Sequence, residues 1–141
     1  MVILAVDDEK DFLEAFASVL TTRGHSVLCA CDGREALNLL ESRKPSDAAI
    51  SIIISDLLMP NLTGEEFLVE VKKSPIFSSI PFAIMSGNAT GDQVQKLWNL
   101  GVDGVICKPF TAADLSKLIE ATIKRKEERD MQALLGGLKI R

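Results

Sequence analysis

The stretch ISIIISD at residues 50–56 decides the fold of this chain. Its β-branched residues form an apolar run that ends in the carboxylate of Asp56. A run of this length and composition is typical of a strand buried on both faces of a parallel sheet. Two other apolar runs also end in charged residues. VILAV at 2–6 precedes Asp7 and Asp8, and GVIC at 104–107 precedes Lys108.

Strand-like runs alternate with amphipathic segments along the chain. After the first run, Phe12, Phe16 and Leu20 recur at helical spacing. The pattern predicts strands at about 2–6, 26–31, 49–55, 81–85 and 104–107, and helices at about 10–22, from 34, 64–73, 92–100 and from 111. This alternation predicts right-handed βαβ units and an α/β fold. The expected architecture is a three-layer, flavodoxin-like, doubly wound sheet of five parallel strands in the order 2-1-3-4-5.

That strand order has consequences for the charged residues at the strand ends. It places a topological switch point between strands 1 and 3, where open α/β sheets bind ligands. Asp7, Asp8 and Asp56 fall at this point, and Lys108 ends a strand at the same edge. Clustered carboxylates repel each other, so we expect a cation among them. Oxygen ligands favour Mg²⁺.

Composition excludes several classes of function. The chain has 141 residues, which predicts one domain. Its net charge of −4 and pI near 5.0 argue against a nucleic-acid surface. We see no apolar stretch of the ~20 residues that a membrane span needs, and no signal peptide. The expectation is a cytoplasmic domain that contacts neither nucleic acid nor membrane directly.

The chain has three cysteines, Cys29, Cys31 and Cys107. Their odd number favours free thiols in a reducing compartment. Cys29 and Cys31 are two residues apart, so we expect them to share one face of a strand. The preferred interpretation is buried structural cysteine, and a fragment of a Cys-x-Cys metal site is the alternative.

The end of the chain differs in composition from the rest. We divide the sequence into a domain at 1–123 and an extension of the last helix, a linker or a tail, at 124–141. A charged run at 124–130 is followed by the apolar residues Met131, Leu134, Leu135 and Leu138. Gly136-Gly137 is predicted to break any helix here. A solvated extension is the preferred interpretation, and a homodimerisation element is the alternative.

One motif gives the chain a family resemblance. Asp56 is followed by Met59-Pro60 and then by Gly64. Together with Asp7-Asp8 upstream, Ser86, and Lys108-Pro109 downstream, this order resembles the response-regulator receiver domain of two-component signalling. The resemblance covers about residues 1–123.

The resemblance implies a role for each matching residue. Asp56 is implied to accept a phosphoryl group, with Lys108 and Ser86 contacting the phosphoryl oxygens. Asp7, Asp8, Asp56 and the main-chain carbonyl of Leu58 are implied to bind Mg²⁺. Such a domain is a phosphoacceptor switch and not an enzyme with turnover.

The resemblance also implies the partners. A histidine kinase or a phosphotransfer protein would donate the phosphoryl group. An effector would bind the face formed by helix 4, strand 5 and helix 5. The sequence departs from the family at Val105, where receivers usually carry an aromatic switch residue. Leu58 offers no polar group to position a water, which predicts slow self-hydrolysis.

Two other functions compete with this interpretation. A phosphate-ester hydrolase of the haloacid-dehalogenase type needs a second Asp two residues after its nucleophile. Leu58 stands there after Asp56, and Glu9 stands there after Asp7. An interaction module without phosphorylation is favoured by Val105 and opposed by the intact set of acids.

Overall fold

The computed structural model describes residues 1–137, in which strands and helices alternate. The strands are β1 (Val2–Val6), β2 (Ser26–Ala30), β3 (Ile50–Asp56), β4 (Phe82–Ser86) and β5 (Gly104–Cys107). The helices are α1 (Lys10–Thr22), α2 (Gly33–Ser42), α3 (Gly64–Lys73), α4 (Gly91–Asn99) and α5 (Ala112–Gly137).

The strands form one parallel sheet in the order β2-β1-β3-β4-β5. In its centre, Ile53 of β3 lies opposite Leu4 on one side and Phe82 on the other. Ile52, Ile53 and Ile54 are 0% exposed, as expected of a strand buried on both faces. The predicted flavodoxin-like α/β fold with strand order 2-1-3-4-5 is confirmed.

Different helices cover the two faces of the sheet. α1 and α5 pack on one face in an apolar cluster that includes Phe16 and Leu118. α2, α3 and α4 pack on the other face in a cluster that includes Leu37, Phe67 and Leu97. These helices form the outer layers of the three-layer architecture, and the polar residues that end the strands lie at the sheet edge.

Side-chain caps begin the helices that follow β3 and β5. Thr63 and Glu66 form a reciprocal capping box at the start of α3. At the start of α5, the Thr111 hydroxyl accepts from the Asp114 amide at 3.0 Å. The Asp114 carboxylate accepts from the Thr111 amide, also at 3.0 Å. These two hydrogen bonds cap the start of α5.

The second half of α5 contacts the loop that precedes β5. Asp103 in this loop is 0% exposed, and its carboxylate accepts from Arg129 at 2.6 Å and from Lys72 of α3 at 3.0 Å. Arg125 donates to the Asp103 carbonyl at 2.7 Å, and its guanidinium lies 4.7 Å from the centre of the half-buried Trp98 ring. A buried carboxylate is tolerated because it is paired in this way. The Asp103 carboxylate therefore joins α3 and α5 to the loop before β5.

The prediction that the cysteines are buried is wrong. Cys29 and Cys107 are exposed, and Cys31 is intermediate. The reason is the strand order, because β2 and β5 are the edge strands and each has one neighbour in the sheet. Cys29 and Cys31 do lie on one side, where both line a shallow groove beside α1.

α5 extends through Gly136 to Gly137, where the described residues end, so the break expected at Gly136-Gly137 stays a prediction. Leu138 lies outside the described residues. Although α5 has 26 residues, no helix within 1–137 has the length and apolar composition of a membrane span.

Candidate functional site at the carboxyl edge of the sheet

The ends of β1 and β3 bring three carboxylates together. Asp7 and Asp8 follow β1, and Asp56 is the last residue of β3. Each offers an oxygen, and these atoms all lie within 4.8 Å of one another. Asp7 and Asp56 are buried, whereas Asp8 is exposed. The predicted convergence of these three residues is confirmed.

Lys108 reaches this cluster from the end of β5. Its Nζ donates to Asp7 Oδ2 at 2.8 Å and lies 3.3 Å from Asp56 Oδ1. The Lys108 main-chain amide donates to the Ser86 carbonyl at 2.8 Å, and the Lys108-Pro109 bond is cis. The ammonium therefore neutralises part of the negative charge at the sheet edge.

The electrostatics of the cluster are unbalanced in favour of negative charge. Burial raises the pKa of Asp56, and the charge of Asp7 raises it further, against the opposing effect of Lys108. Burial lowers the pKa of Lys108, but its hydrogen bond to Asp7 and the charge of Asp56 outweigh burial, so the pKa is raised. Ionised Asp56 thus lies where further positive charge would be favourable.

Close packing of the motif that follows Asp56 fixes the local backbone. The amide of Gly64 donates to the Leu57 carbonyl at 2.8 Å. A Cβ atom at Gly64 would lie 2.2 Å from the Asp56 carbonyl oxygen, so a larger residue does not fit. Met59 and Leu62 are buried and anchor the intervening loop in the core. The motif therefore holds α3 directly against the backbone of Asp56.

A cavity of about 330 Å³ opens beside the carboxylates. Ser86, the last residue of β4, lines it and is 3% exposed. Leu58 also lines the cavity, and its side chain projects outward, with 74% of the residue exposed. The cavity lining also includes Asp8, Asp56 and Lys108, so together with Ser86 and Leu58 five of the predicted site residues surround one space.

The sequence analysis missed one contact of Lys108. Its Nζ lies 4.0 Å from the centre of the Phe12 ring. Phe12 was assigned only to the apolar face of α1, and its spacing from Asp8 gave no sign of this second contact. The only signal in the sequence was that Phe12 lies in the first turn of the helix that follows the acids.

The donor atoms of the cluster fit a hard divalent cation. All are carboxylate oxygens, which Mg²⁺ and Ca²⁺ prefer over nitrogen or sulfur ligands. The three carboxylates carry more negative charge than the single ammonium of Lys108 balances. This acidic cluster could therefore bind a metal ion.

Comparison with known proteins identifies the family. The chain matches the family described as "Response regulator receiver domain" over residues 3–120. It therefore belongs to the receiver domains of two-component response regulators.

Individual relatives agree with this assignment. Response regulator RR06 of Streptococcus pneumoniae is 35% identical over 127 residues, covering 89% of this chain and 54% of RR06. Two-component response regulator ORR5 of Oryza sativa is 30% identical over 122 residues, covering 86% of this chain and 88% of ORR5. A receiver-domain crystal structure from Clostridium thermocellum gives a TM-score of 0.78 at 32% identity, covering 89% of this chain and 96% of that one. The chain spans about half the length of several relatives, such as 48% of the probable transcriptional regulator ycf27 of Cyanidium caldarium.

Proposed function

We propose that Asp56 accepts a phosphoryl group from a phosphohistidine of a histidine kinase or a phosphotransfer protein. The supporting observation is the convergence of a lysine and three acids on one pocket. Asp56 Oδ1 lies 3.3 Å from Lys108 Nζ, and oxygens of Asp7, Asp8 and Asp56 lie within 4.8 Å of one another. Helix capping by these acids would not require a lysine from a distant strand.

The proposed transfer makes one bond and breaks one. A carboxylate oxygen of Asp56 bonds to phosphorus as the phosphorus–nitrogen bond of the donor breaks. The leaving imidazole keeps the electron pair of that bond and takes up a proton. The product is an acyl phosphate, which is labile and suits a reversible signal.

The chain's own oxygens would hold the required metal. We assign Asp7, Asp8, Asp56 and the main-chain carbonyl of Leu58 as ligands of Mg²⁺, which matches the oxygen chemistry of the site. A bound ion would supply positive charge between the acceptor carboxylate and the phosphoryl oxygens. Because burial and Asp7 raise the pKa of Asp56, added positive charge also favours its ionised form.

Lys108 and Ser86 would contact the transferred group. The Lys108 ammonium already lies beside Asp56 and can donate to a phosphoryl oxygen as a point charge. Ser86 is buried at the end of β4 and lines the same cavity, so its hydroxyl can donate to a second oxygen. Both residues act only as hydrogen-bond donors, with no covalent role.

We infer that the phosphorylated state is read on the face formed by α4, β5 and α5. This face carries Trp98, whose ring is covered on one side by Arg125 of α5. Val105 of β5 provides no aromatic rotamer switch, so another group must report the change. A downstream effector or a second copy of the chain would bind to this face. We place the domain in the cytoplasm, because a reducing environment suits its three cysteines, which are unbonded in the described residues.

The direct test is phosphorylation by a small donor. The protein is incubated with acetyl phosphate or phosphoramidate and Mg²⁺, and its intact mass is measured. We expect a gain of one phosphoryl group that disappears in Asp56→Asn and on chelation of divalent cations. Asp47→Asn, which alters an exposed loop acid away from the lining of the cavity, is the matched control and should still be phosphorylated.

The same experiment separates the alternative function. An interaction module that Val105 would favour gains no phosphoryl mass under any condition. An equal gain in wild type and in Asp56→Asn would place the modification elsewhere and would refute the role of Asp56.

A further inference from the structure

Lys108 is contacted on three sides in the acidic pocket. Its Nζ donates to Asp7 at 2.8 Å, lies 3.3 Å from Asp56 and lies 4.0 Å from the centre of the Phe12 ring. An ammonium within about 6 Å of a ring centre is attracted to the negative face of the ring. The contact is largely shielded from water, because the Lys108 side chain is 17% exposed.

The Phe12 ring is itself held in place. It stacks on Phe16 with ring centres 5.8 Å apart and packs nearly at a right angle to Phe110, with ring centres 6.2 Å apart. Phe16 and Phe110 also pack edge to face at 6.2 Å. Phe110 follows Lys108 by two residues, so the three rings tie the start of α1 to the segment that carries the lysine. These aromatic contacts fix the surface on which the ammonium rests.

The ring provides an attraction that the carboxylates cannot maintain. The electrostatic attraction of Asp7 and Asp56 for Lys108 weakens whenever these carboxylates also bind another cation. The Phe12 ring is neutral, so its attraction for the ammonium does not depend on the charge state of the acids. A flexible four-carbon side chain with three rotatable donors needs such a restraint to remain in one orientation.

We propose that Phe12 is a positioning residue that keeps the Lys108 ammonium over the pocket, ready to contact the phosphoryl oxygens. This inference rests on the proposed function. It assigns Phe12 no contact with the reacting atoms, because Phe12 acts through Lys108. The attraction depends on the electron density of the ring face, so changes in that density test the proposal better than deletion of the side chain.

The first test replaces Phe12 with phenylalanines that carry one, two or three ring fluorines. Fluorination weakens the negative ring face while the ring keeps its shape and apolar character. We expect the rate constant for phosphorylation by phosphoramidate to fall stepwise, by roughly three- to tenfold for three fluorines. The same series at Phe67, which is buried on the opposite face of the sheet, is the control and should leave the rate unchanged.

The second test adds a readout that does not depend on phosphorylation. In NMR spectra of the wild-type protein, the ε-methylene protons of Lys108 should be shifted upfield by the ring current of Phe12. Phe12→Leu should remove this shift and slow phosphorylation. Phe12→Trp should keep both the upfield shift and the wild-type rate of phosphorylation. A structural role alone would not predict recovery with a larger aromatic residue.

The outcomes distinguish the positioning role of Phe12 from the proposed phosphorylation of Asp56, on which it rests. Normal phosphorylation with a flat rate across the fluorinated series, or a Lys108 spectrum without a ring-current shift, overturns the role of Phe12 alone. Absence of phosphorylation in the wild-type protein overturns the proposed function and this inference together. A stepwise fall of the rate, with the expected shift, supports both.

Discussion

Replacing Asp103 with asparagine should destabilise the domain without touching the acidic pocket. The carboxylate is 0% exposed and pairs with Lys72 at 3.0 Å and Arg129 at 2.6 Å. It also accepts from the Phe82 main-chain amide at 3.0 Å. Asparagine keeps the size and one acceptor oxygen, but it leaves two cations facing a neutral amide.

The magnitude follows from the burial of the partners. Removing one member of a buried ion pair costs about 3–5 kcal/mol. Here the Arg129 side chain is 43% exposed and can regain water, while that of Lys72 is only 17% exposed. We therefore expect the lower end of the range, about 3 kcal/mol. For a domain of this size, that is a fall in Tm of about 10 °C.

The assay is urea unfolding followed by Trp98 fluorescence and circular dichroism. Asp130→Asn is the matched control, because it removes an acid that is 58% exposed and pairs with Lys126 on the same helix. We expect the control to change the free energy of unfolding by less than about 0.5 kcal/mol. If Asp103→Asn is as stable as this control, the buried network does not stabilise the fold and the reasoning fails.

Three further predictions test other parts of the structure. Thr122→Val should raise the free energy of unfolding by about 1 kcal/mol, because the buried Thr122 hydroxyl has no hydrogen-bond partner within residues 1–137. Thermal unfolding measures this change, and a loss of stability would contradict the prediction. Without divalent cations, Asp56→Asn should raise Tm at neutral pH. Burial raises the pKa of Asp56 in the folded state, so ionisation of this carboxyl costs stability there. The gain in Tm should vanish as the pH falls below 3.8, the ordinary pKa of an Asp carboxyl. Leu58→Gln should shorten the lifetime of the phosphorylated protein several-fold, as followed by intact mass, because Leu58 lines the cavity without a polar group that could orient water; an unchanged lifetime would exclude this role.

Periodicity in the sequence was sufficient to predict the fold. The run at 50–56 has the composition of a central strand, and strand order alone places Asp7, Asp8 and Asp56 at one edge. The convergence of the acids and Lys108 could therefore be predicted without knowledge of any side-chain conformation.

Contacts that depend on helix rotation could not be predicted in this way. Asp103 pairs with Lys72 and Arg129, which lie 31 and 26 residues away in the chain, and no local pattern links them. The Phe12 ring faces Lys108 because neighbouring rings fix its rotamer. The cysteines were misjudged because their burial was inferred from residue type, although the predicted strand order already placed strands 2 and 5 at the edges of the sheet.

The site at Asp56 can be tested most directly by chemical trapping. After treatment with a small phosphodonor and Mg²⁺, borohydride reduces an aspartyl phosphate to homoserine, which peptide mass mapping locates. The account predicts homoserine at position 56, and none there when the donor or the metal is omitted. Homoserine at another acidic position, or phosphate retained on a serine, threonine or histidine, would contradict it.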